Sequence, residues 1–219
     1  MKETKIKGVY KQKNQLFTKN PLYLKRKKVY NEKIIKRDDS EYRSWNPHRS
    51  KLSALILKNT EFEIKPDFNI LYLGAATGTT VSHISDILVE GTVFAVENSA
   101  VSMKKLLKVC EKRKNIIPIF EDAFHTDRYQ AIVPLVDFVY QDISQRNQSQ
   151  IFIENASRFL KENMKAILMV KARSIDVSLK PKDAYERVCS DLKKTGFKIK
   201  NVVNLAPYER DHAAIIIKN

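Results

Sequence analysis

From residue 69 onward, short apolar runs alternate with amphipathic helical patterns, and this alternation constrains the fold more than any other feature of the sequence. Strands that are apolar along nearly their whole length are typical of a sheet covered by helices on both faces. We predict strands at 69–73, 92–96, 116–120, 135–140, 165–171, 197–204 and 213–217, and helices at 79–88, 99–112, 148–160 and 181–194. The predicted fold is therefore α/β, with a seven-stranded, mostly parallel, doubly wound sheet.

The last two predicted strands are joined by residues 206–212 alone. That segment is too short for the crossover helix that a parallel connection requires. We therefore expect these two strands to pair antiparallel at the edge of the sheet. An antiparallel closing strand resembles the Rossmann-like class I fold of methyltransferases that depend on S-adenosylmethionine (SAM), whereas a nicotinamide dehydrogenase favours an all-parallel sheet.

A glycine-containing turn, Gly74 to Thr80, follows the first strand of this series and leads into its first helix. Strand, tight glycine turn and helix N-terminus together form the usual cradle for a nucleotide-like ligand. The spacing here is G-x-x-x-G and not the dinucleotide pattern G-x-G-x-x-G. A tight turn without a ligand is the alternative interpretation.

Polar residues follow the other strands, at the edge where open α/β sheets bind their ligands. Glu97 stands 19 residues after Gly78, a spacing suited to a carboxylate that accepts hydrogen bonds from ribose hydroxyls. The remaining strand-end residues are Asp122-Ala123, Asp142-Ile143-Ser144-Gln145, Lys171 and His212. Any one carboxylate could cap a helix, but the whole set favours an adenosine-type ligand with a charged tail. Asp142 suits the positive sulfonium of a methyl donor.

The net charge of +15 and the isoelectric point near 9.7 favour a polyanionic partner. Residues 1–50 hold 15 Lys and Arg against 5 Asp and Glu, so +10 of the charge lies in the first quarter of the chain. This concentration favours RNA or DNA, or an acidic protein. The alternative interpretation is a solvated, lysine-rich surface.

Residues 1–45 have poor helical periodicity and mix aromatic with basic side chains. We predict a small, basic, β-rich N-terminal domain at 1–45, followed by the α/β domain at 46–219. The aromatic side chains could stack on bases or pack beneath the sheet. We expect a helix to begin with Asn46 as its N-cap and Pro47 in its first turn.

Two cysteines, Cys110 and Cys189, lie in helical apolar patterns, and we interpret them as small buried side chains in a reducing compartment. With four scattered histidines they do not form a zinc-ligand pattern. No apolar run reaches membrane-spanning length, and the N-terminal residues lack a signal-peptide pattern. We expect a cytoplasmic protein.

Four segments resemble the fibrillarin family: Tyr42 to Leu52, Tyr72 to His83, Lys171 to Asp176, and Pro207 to Ala213. They occur in the family's order, and the resemblance runs from about residue 5 to the end. The chain length and the lack of a Gly/Arg-rich tail resemble the archaeal form. The resemblance implies a SAM-dependent ribose 2′-O-methyltransferase that modifies rRNA and tRNA under the direction of a guide RNA.

The family works within the box C/D ribonucleoprotein. The implied partners are a Nop-type scaffold protein, a kink-turn-binding ribosomal-protein-like subunit, the box C/D guide RNA, and substrate rRNA and tRNA. Pairing between guide and substrate would select the nucleotide that is methylated. Purified alone, the protein is expected to bind the cofactor but to methylate RNA poorly.

The resemblance also implies roles for individual residues. The expected catalytic set is Lys51, Asp142, Lys171 and His212. The expected cofactor-binding residues are Gly74, Ala75, Gly78, Thr79, Thr80, Glu97, Asn98, Asp122, Ala123, Asp142, Ile143, Ser144 and Gln145. Two departures from the family pattern are Asn98, where an aromatic residue is usual beside the adenosine, and residues 145–148, which replace a Pro-Asp-containing loop.

For the reaction, we expect Lys171 to hold or deprotonate the ribose hydroxyl and Asp142 to orient Lys171. Lys51 is expected to hold a phosphate of the target nucleotide, and His212 to orient the hydroxyl. One rival interpretation is that both lysines only steer RNA. Two others are a non-catalytic RNA-binding scaffold that retains the fold and a nucleotide-dependent oxidoreductase.

Overall fold

A computed structural model describes residues 1–219, and its N-terminal part is a five-stranded antiparallel sheet. The strands are β1 (Lys2–Glu3), β2 (Val9–Gln12), β3 (Gln15–Asn20), β4 (Ile34–Arg37) and β5 (Ser40–Trp45), in the order β1-β2-β3-β5-β4. The small β-rich unit expected from the sequence is confirmed. Its division from the rest of the chain as a separate domain stays a prediction, because one apolar core runs continuously from this sheet into the second.

The second sheet has seven strands in the order β11-β12-β10-β9-β6-β7-β8. Its strands are β6 (Asn69–Leu73), β7 (Thr92–Val96), β8 (Ile116–Ile119), β9 (Val136–Gln141), β10 (Leu160–Lys171), β11 (Lys198–Asn204) and β12 (His212–Lys218). Neighbouring strands from β10 to β8 pair in parallel, whereas β12 runs antiparallel to both β10 and β11. The predicted fold class, including the antiparallel closing strand, is confirmed.

Helices cover both faces of this sheet. They are α1 (Lys51–Leu57), α2 (Thr79–Ile87), α3 (Ala100–Cys110), α4 (Gln148–Phe159), the single turn α5 (Ala172–Ile175) and α6 (Pro181–Lys194). Alternate residues of β6 belong to the two cores: Ile70 and Tyr72 pack towards α2, and Leu71 and Leu73 towards α4. This alternation explains why the strand is apolar throughout its length. None of the helices is long and apolar enough to cross a lipid bilayer.

The first helix begins later than the sequence predicts. Asn46 does not cap it: the Asn46 carboxamide oxygen accepts a hydrogen bond from the His48 amide in a turn that directly follows β5. The N-cap is Ser50, whose Oγ accepts from the Ser53 amide at 3.4 Å. Both side chains are good caps, and the turn takes Asn46 and Pro47 out of the helix. This placement makes Lys51 the first residue of α1.

The two cysteines are half-buried and unpaired, whereas the sequence predicted buried side chains. Burial raises the pKa of the Cys110 thiol to about 11 and also raises the pKa of Cys189. Both thiols therefore stay protonated at neutral pH and behave as apolar side chains.

A buried cluster of charged groups joins the N-terminal sheet to helix α2 and the turn after α3, which pack against the second sheet. We call Glu32, Arg43, Asp86 and Arg113 the Arg43 cluster. The Arg43 guanidinium donates to Glu32 Oε1 at 2.8 Å and to Asp86 Oδ2 at 2.6 Å, and Arg113 donates to the other Asp86 oxygen. The two cations and two anions balance one another in a region closed to water, so the cluster fixes how the sheets lie together.

His83 lies beside this cluster and is fully buried. Its ring stacks on Trp45, with 4.9 Å between the ring centroids, and it hydrogen-bonds Thr18 Oγ at 2.7 Å and the Tyr30 hydroxyl at 2.6 Å. Burial, followed by the positive charges of Arg43 and Arg113, lowers the pKa of His83 well below its usual value. The imidazole is therefore neutral in the folded protein.

Because the His83 imidazole is buried and neutral, we predict that the protein loses stability in mild acid. Because the pKa of His83 is lower in the folded than in the unfolded chain, the unfolded chain binds more protons below about pH 6.5. The free energy of unfolding should therefore fall by about 1.4 kcal/mol per pH unit from this group. Denaturant unfolding of the wild type and of His83→Gln between about pH 7.5 and 5.5 measures the difference in slope.

The quantity compared is the slope of the free energy of unfolding against pH. A variant that is less stable by the same amount at every pH keeps the wild-type slope. His125→Gln, at a partly exposed histidine, serves as the matched control. If wild type and His83→Gln lose stability in parallel as the pH falls, the titration is not at His83.

Candidate active site

The glycine turn after β6 is pressed against the loop after β9. Gly74 has φ +82°, and a Cβ on it would stand 2.5 Å from the Asp142 carbonyl oxygen, so only glycine fits there. The Asp142 amide donates to the Leu73 carbonyl at 2.9 Å, which ties the two strand ends together. The backbone of both loops therefore forms one wall of a cavity.

Glu97, at the end of β7, braces the same turn. Its Oε2 accepts from the Ala76 amide at 2.7 Å, and its Oε1 accepts from the Ser99 amide at 2.7 Å. Ala76 has φ +48°, an uncommon conformation that this charged hydrogen bond stabilises. Each carboxylate oxygen keeps a further acceptor site, so Glu97 can still accept from ligand hydroxyls.

A cavity of about 230 Å³ lies between these loops. Eight of the predicted cofactor-binding residues line it: Gly74, Glu97, Asn98, Ala123, Asp142, Ile143, Ser144 and Gln145. Ala76, Val96 and Glu121 also line it, although the sequence pattern did not single them out. Each directly follows or precedes a selected position, so the strand ends were the right signal but did not show which neighbour faces inward.

The other five predicted cofactor residues lie beside the cavity and do not line it. The Asp122 carboxylate accepts from the Phe124 amide at 2.9 Å and so caps its own turn. Ala75 is buried beneath the glycine turn, and Gly78 is the N-cap of α2 with φ +86°. Thr79 faces a second cavity, which lies beside α3, and Thr80 donates to Ser50 Oγ at 3.0 Å.

Lys51 and Asp142 form a half-buried ion pair. The Lys51 Nζ lies 3.0 Å from Asp142 Oδ1 and 3.2 Å from Oδ2, and each side chain is 19% exposed. Ser50 caps α1 and accepts a hydrogen bond from Thr80. It therefore fixes where the next residue, Lys51, lies relative to α2. Asp142 was expected to orient Lys171, but its hydrogen-bonded partner in the structure is Lys51. Asp142 is also the member of the pair that lines the cavity.

Lys171 and His212 face each other across the antiparallel pair of β10 and β12. The His212 Nδ1 lies 2.7 Å from the Arg210 carbonyl oxygen, which can only accept, so Nδ1 carries a proton. In the neutral ring Nε2 is then an acceptor available to a hydroxyl group. The Lys171 ammonium has no carboxylate within ion-pairing distance and is half-buried, so it is free to meet a substrate.

The backbone of Lys171 is held by a fully buried side chain, Gln148, at the start of α4. The Gln148 carboxamide accepts from the Lys171 amide at 3.1 Å and donates to the Lys171 carbonyl at 3.3 Å. Strand β9 has already ended at this level, so the carboxamide takes the place of a neighbouring strand. It also donates to the Gln145 carbonyl, which couples Lys171 to the cavity loop.

The four predicted catalytic residues thus form two pairs at one edge of the sheet, at the start of α1, in the loop after β9, and at the facing ends of β10 and β12. Behind them, burial raises the pKa of Tyr72 and of Tyr140 well above the usual value, and the Asp142 charge adds to both shifts. These phenols stay protonated. The charged groups at this edge therefore include an acid–cation pair beside the cavity, a free cation facing a histidine acceptor, and the Glu209 carboxylate, whose Oε2 lies 4.0 Å from His212 Nδ1.

The residues present fit the expected cofactor. SAM has ribose hydroxyls, a positive sulfonium and a charged tail. The cavity provides the Glu97 carboxylate, the close-approach backbone at Gly74, and the Asp142 carboxylate. A Cβ at Gly74 would collide with the Asp142 carbonyl oxygen and push the two loops apart, so the shape of the cavity depends on that glycine.

Comparison with known proteins gives a consistent result. The family model described as Fibrillarin matches residues 1–219. A protein of Methanothermobacter thermautotrophicus named fibrillarin-like rRNA/tRNA 2′-O-methyltransferase is 44% identical over 220 residues, covering 100% of this chain and 97% of the relative.

Two solved structures are similar to the fold over nearly its whole length. A fibrillarin from a fibrillarin/Nop5p complex is 43% identical with a TM-score of 0.89, covering 97% of each chain. Aeropyrum pernix fibrillarin with natively bound S-adenosyl-L-methionine is 39% identical with a TM-score of 0.88, covering 99% of this chain and 96% of that one.

Proposed function

The chain belongs to the fibrillarin family, and we propose that it transfers a methyl group from SAM to a ribose 2′-hydroxyl of rRNA and tRNA. The observation that carries this proposal is the pairing of Lys51 with Asp142 and of Lys171 with His212 at one edge of the sheet, beside the Glu97 cavity. The names of the relatives support the same reaction and the same donor.

We assign the cavity to the cofactor. Glu97 would accept hydrogen bonds from the ribose hydroxyls of the ligand, and the Gly74–Ala76 backbone would form the wall beside it. The Asp142 carboxylate would offset the positive charge of the sulfonium. When bound, the cofactor supplies a methyl group on positively charged sulfur, a carbon already activated for attack. Asn98 lines the cavity beside Glu97 and offers hydrogen bonds where an aromatic side chain would stack.

The protein's own residues then position the acceptor. Lys171 and His212 hold the 2′-hydroxyl, which has one proton to give. His212 Nε2 accepts a hydrogen bond from it while the Lys171 ammonium donates to its oxygen, and Lys171 removes the proton only as a neutral amine, which then becomes the ammonium. In the structure Asp142 is bonded to Lys51 and not to Lys171, so it fixes Lys51 and keeps a negative charge at the cavity mouth. Gln148, which bonds both backbone groups of Lys171, sets where that side chain starts. Positioning of this kind supplies much of the rate in group transfer.

We also propose that the protein acts inside a box C/D ribonucleoprotein. A relative has been solved in complex with Nop5p, which supports a Nop-type scaffold partner. The kink-turn-binding subunit, the guide RNA and the substrate RNAs follow from the family resemblance. Guide pairing would select the nucleotide, because a basic surface binds phosphates at any sequence.

The test is methyl transfer from isotopically labelled SAM in a reconstituted guide complex, with each partner omitted in turn. We expect label at the guide-specified nucleotide with the full complex, and cofactor binding but poor transfer with the protein alone. Efficient site-specific transfer without guide or scaffold would contradict the proposal. Absence of transfer in the full complex, with cofactor and RNA both bound, would favour a non-catalytic scaffold.

Replacing Glu97 by Gln is expected to weaken SAM binding by about 10- to 100-fold, because charge-assisted hydrogen bonds contribute about 1.5–3 kcal/mol. The amide nitrogen of Gln also cannot accept from Ala76 or Ser99. Calorimetric titration with SAM measures the effect. Glu111→Gln, at an exposed position just after α3, is the matched control and should bind normally. Equal affinities of the two variants would remove Glu97 from the cofactor site.

A further inference from the structure

A second cavity, of about 320 Å³, lies between the segment after β3 and helix α3. Seven of its 13 lining residues are cationic, and none is acidic: Lys27, Lys28, Arg49, Lys105, Lys108, Lys112 and Arg113. We call these seven residues and the space between them the basic groove.

The charge of the basic groove is not neutralised by the protein. Arg113 belongs to the Arg43 cluster and is bound to Asp86, but the other six cations have no ion-pair partner. Glu32 and Asp86, which lie beside the groove, are buried and bound to Arg43, and the exposed Glu111, next to Lys112 in the chain, forms no ion pair. Some surface cations elsewhere have partners, as Lys161 has Asp137 and Arg173 has Asp211, but others such as Lys193 and Lys194 do not. What distinguishes the groove is that seven cations and no acidic residue line one cavity.

The groove is also held in shape. The amides of Val29 and Tyr30 donate to the two Glu32 oxygens at 2.9 and 2.8 Å, and the Arg26 amide donates to Glu41 at 2.7 Å. The Arg49 guanidinium lies over the Tyr30 ring, 5.0 Å from its centroid. These bonds fix one wall before any ligand arrives.

The opposite wall is helical. Lys105 and Lys108 are exposed on α3, and Lys112 follows in the turn after it, so the three recur at a spacing that places them on one side. Cations repeated at short intervals match the repeated phosphates of a nucleic-acid strand, which are the groups that Lys, Arg and Thr side chains contact most often. Protein interfaces, by contrast, are depleted in lysine at their centres.

The basic groove opens directly beside the cofactor cavity. Ala76 lines the cofactor cavity, and the next residue, Thr77, lines the groove together with Thr79. Residues 76 and 79 are at most about 11 Å apart. This distance equals the rise of about three nucleotides along the axis of a duplex. The glycine turn is thus the partition between the two cavities.

From this charge, shape and position we propose that the basic groove binds the sugar–phosphate backbone of an RNA strand next to the nucleotide that is methylated. The inference rests on the proposed function, because it assigns a second binding surface to the same substrate. The groove contacts phosphates and not base edges, so it adds affinity without sequence preference.

The test compares two variants with the same reduction in positive charge. The groove variant is Lys28→Gln/Lys108→Gln/Lys112→Gln. The control variant is Lys193→Gln/Lys194→Gln/Lys198→Gln, at exposed positions of α6 and β11 that lie outside the groove. Both are assembled into the full guide complex, and binding of a guide-complementary RNA is measured over a series of salt concentrations.

We expect the groove variant to bind the RNA at least about tenfold more weakly. The slope of log K against log salt should fall by about 0.7–0.9 for each phosphate that the groove no longer neutralises, or about 2–3 in total. The control variant should keep the wild-type slope. Cofactor affinity, and the single-turnover rate at saturating RNA, should match the wild type in both variants.

Equal slopes for the two triple variants would overturn the proposal, because the effect would then come from net charge alone. Loss of scaffold binding in the groove variant would also overturn it and would assign the surface to a protein partner. If the wild type binds RNA but transfers no methyl group, the proposed function fails while the binding comparison still decides the role of the groove.

Discussion

Replacing Lys171 by Met is expected to lower the single-turnover rate of methyl transfer by about 10²- to 10⁴-fold, the range found when a general acid or base is removed. The Lys171 ammonium has no carboxylate partner in the protein and faces His212 across the strand pair, so it is the free cation placed for the ribose hydroxyl. Met keeps most of the length of the side chain and removes only the amine. Rapid-quench assays with labelled SAM in the assembled complex measure the rate.

SAM affinity and RNA affinity are measured in the same preparations, and both are expected to stay close to wild type. Lys165→Met serves as the control, because Lys165 lies in the middle of the same strand β10, away from the Lys171 end. If Lys171→Met binds both ligands and its rate falls less than about threefold, Lys171 only steers RNA and is not the group that handles the proton.

Replacing Arg43 by Met is expected to reduce the free energy of unfolding by about 3–5 kcal/mol, a large share of the stability of a domain of this size. The variant leaves Glu32 and Asp86 buried with one cation, Arg113, for two carboxylates. It also removes the hydrogen bonds from Arg43 to Ser82 Oγ and the Ser82 carbonyl. Buried carboxylates that lose a cationic partner regain part of the cost of leaving water.

Denaturant unfolding at neutral pH measures this decrease, with Arg37→Met as the control. Arg37 lies on the neighbouring strand β4, is exposed, and donates one hydrogen bond to Gln12. Its replacement should change stability by no more than about 0.5 kcal/mol. Similar small decreases in both variants would mean that the Arg43 cluster contributes little to the packing between the two sheets.

The central strands of the second sheet were predictable because they are buried on both faces. Runs such as Asn69–Leu73 and Thr92–Val96 are almost wholly apolar, and their predicted ends agree with the structure. Strand β10 is the exception: it begins at Leu160 and not at 165, because polar residues extend it beyond the apolar run. The short link at 206–212 correctly required an antiparallel pair. Local pattern was sufficient wherever burial was uniform.

Interactions between distant segments were not predictable. Asn46 and Ser50 are equally good helix caps by type, and the hydrogen bond of Ser50 with Thr80 lies outside any local pattern. The Arg43 cluster draws its four members from four separate segments, so no periodicity indicates it. The same holds for the basic groove, whose lining residues come from positions 24–30, 49, 77–79 and 105–113 of the chain. The sequence showed an excess of positive charge in the first quarter, but not which helix would face it.

The candidate site was predictable from the sequence only in part. Strand ends meet at one edge of a parallel sheet, so the sequence located the cavity and its Glu97 and Asp142 carboxylates. Side-chain direction at those ends depends on loop conformation. The sequence therefore selected Asp122, whereas its neighbour Glu121 lines the cavity, and it paired Asp142 with Lys171 where the structure pairs it with Lys51. The catalytic roles stay predictions.

The most direct test of the central claim is single-turnover methyl transfer in the guide complex to two RNAs that differ at one atom. The first RNA is all-ribose, and the second carries a 2′-deoxyribose at the guide-specified nucleotide. We predict one methyl group on the ribose of the first RNA, located by nuclease digestion and mass spectrometry, and none on the second. Equal transfer to both RNAs, or a methyl group on the base, would contradict the assignment of Lys171 and His212 to a ribose 2′-hydroxyl.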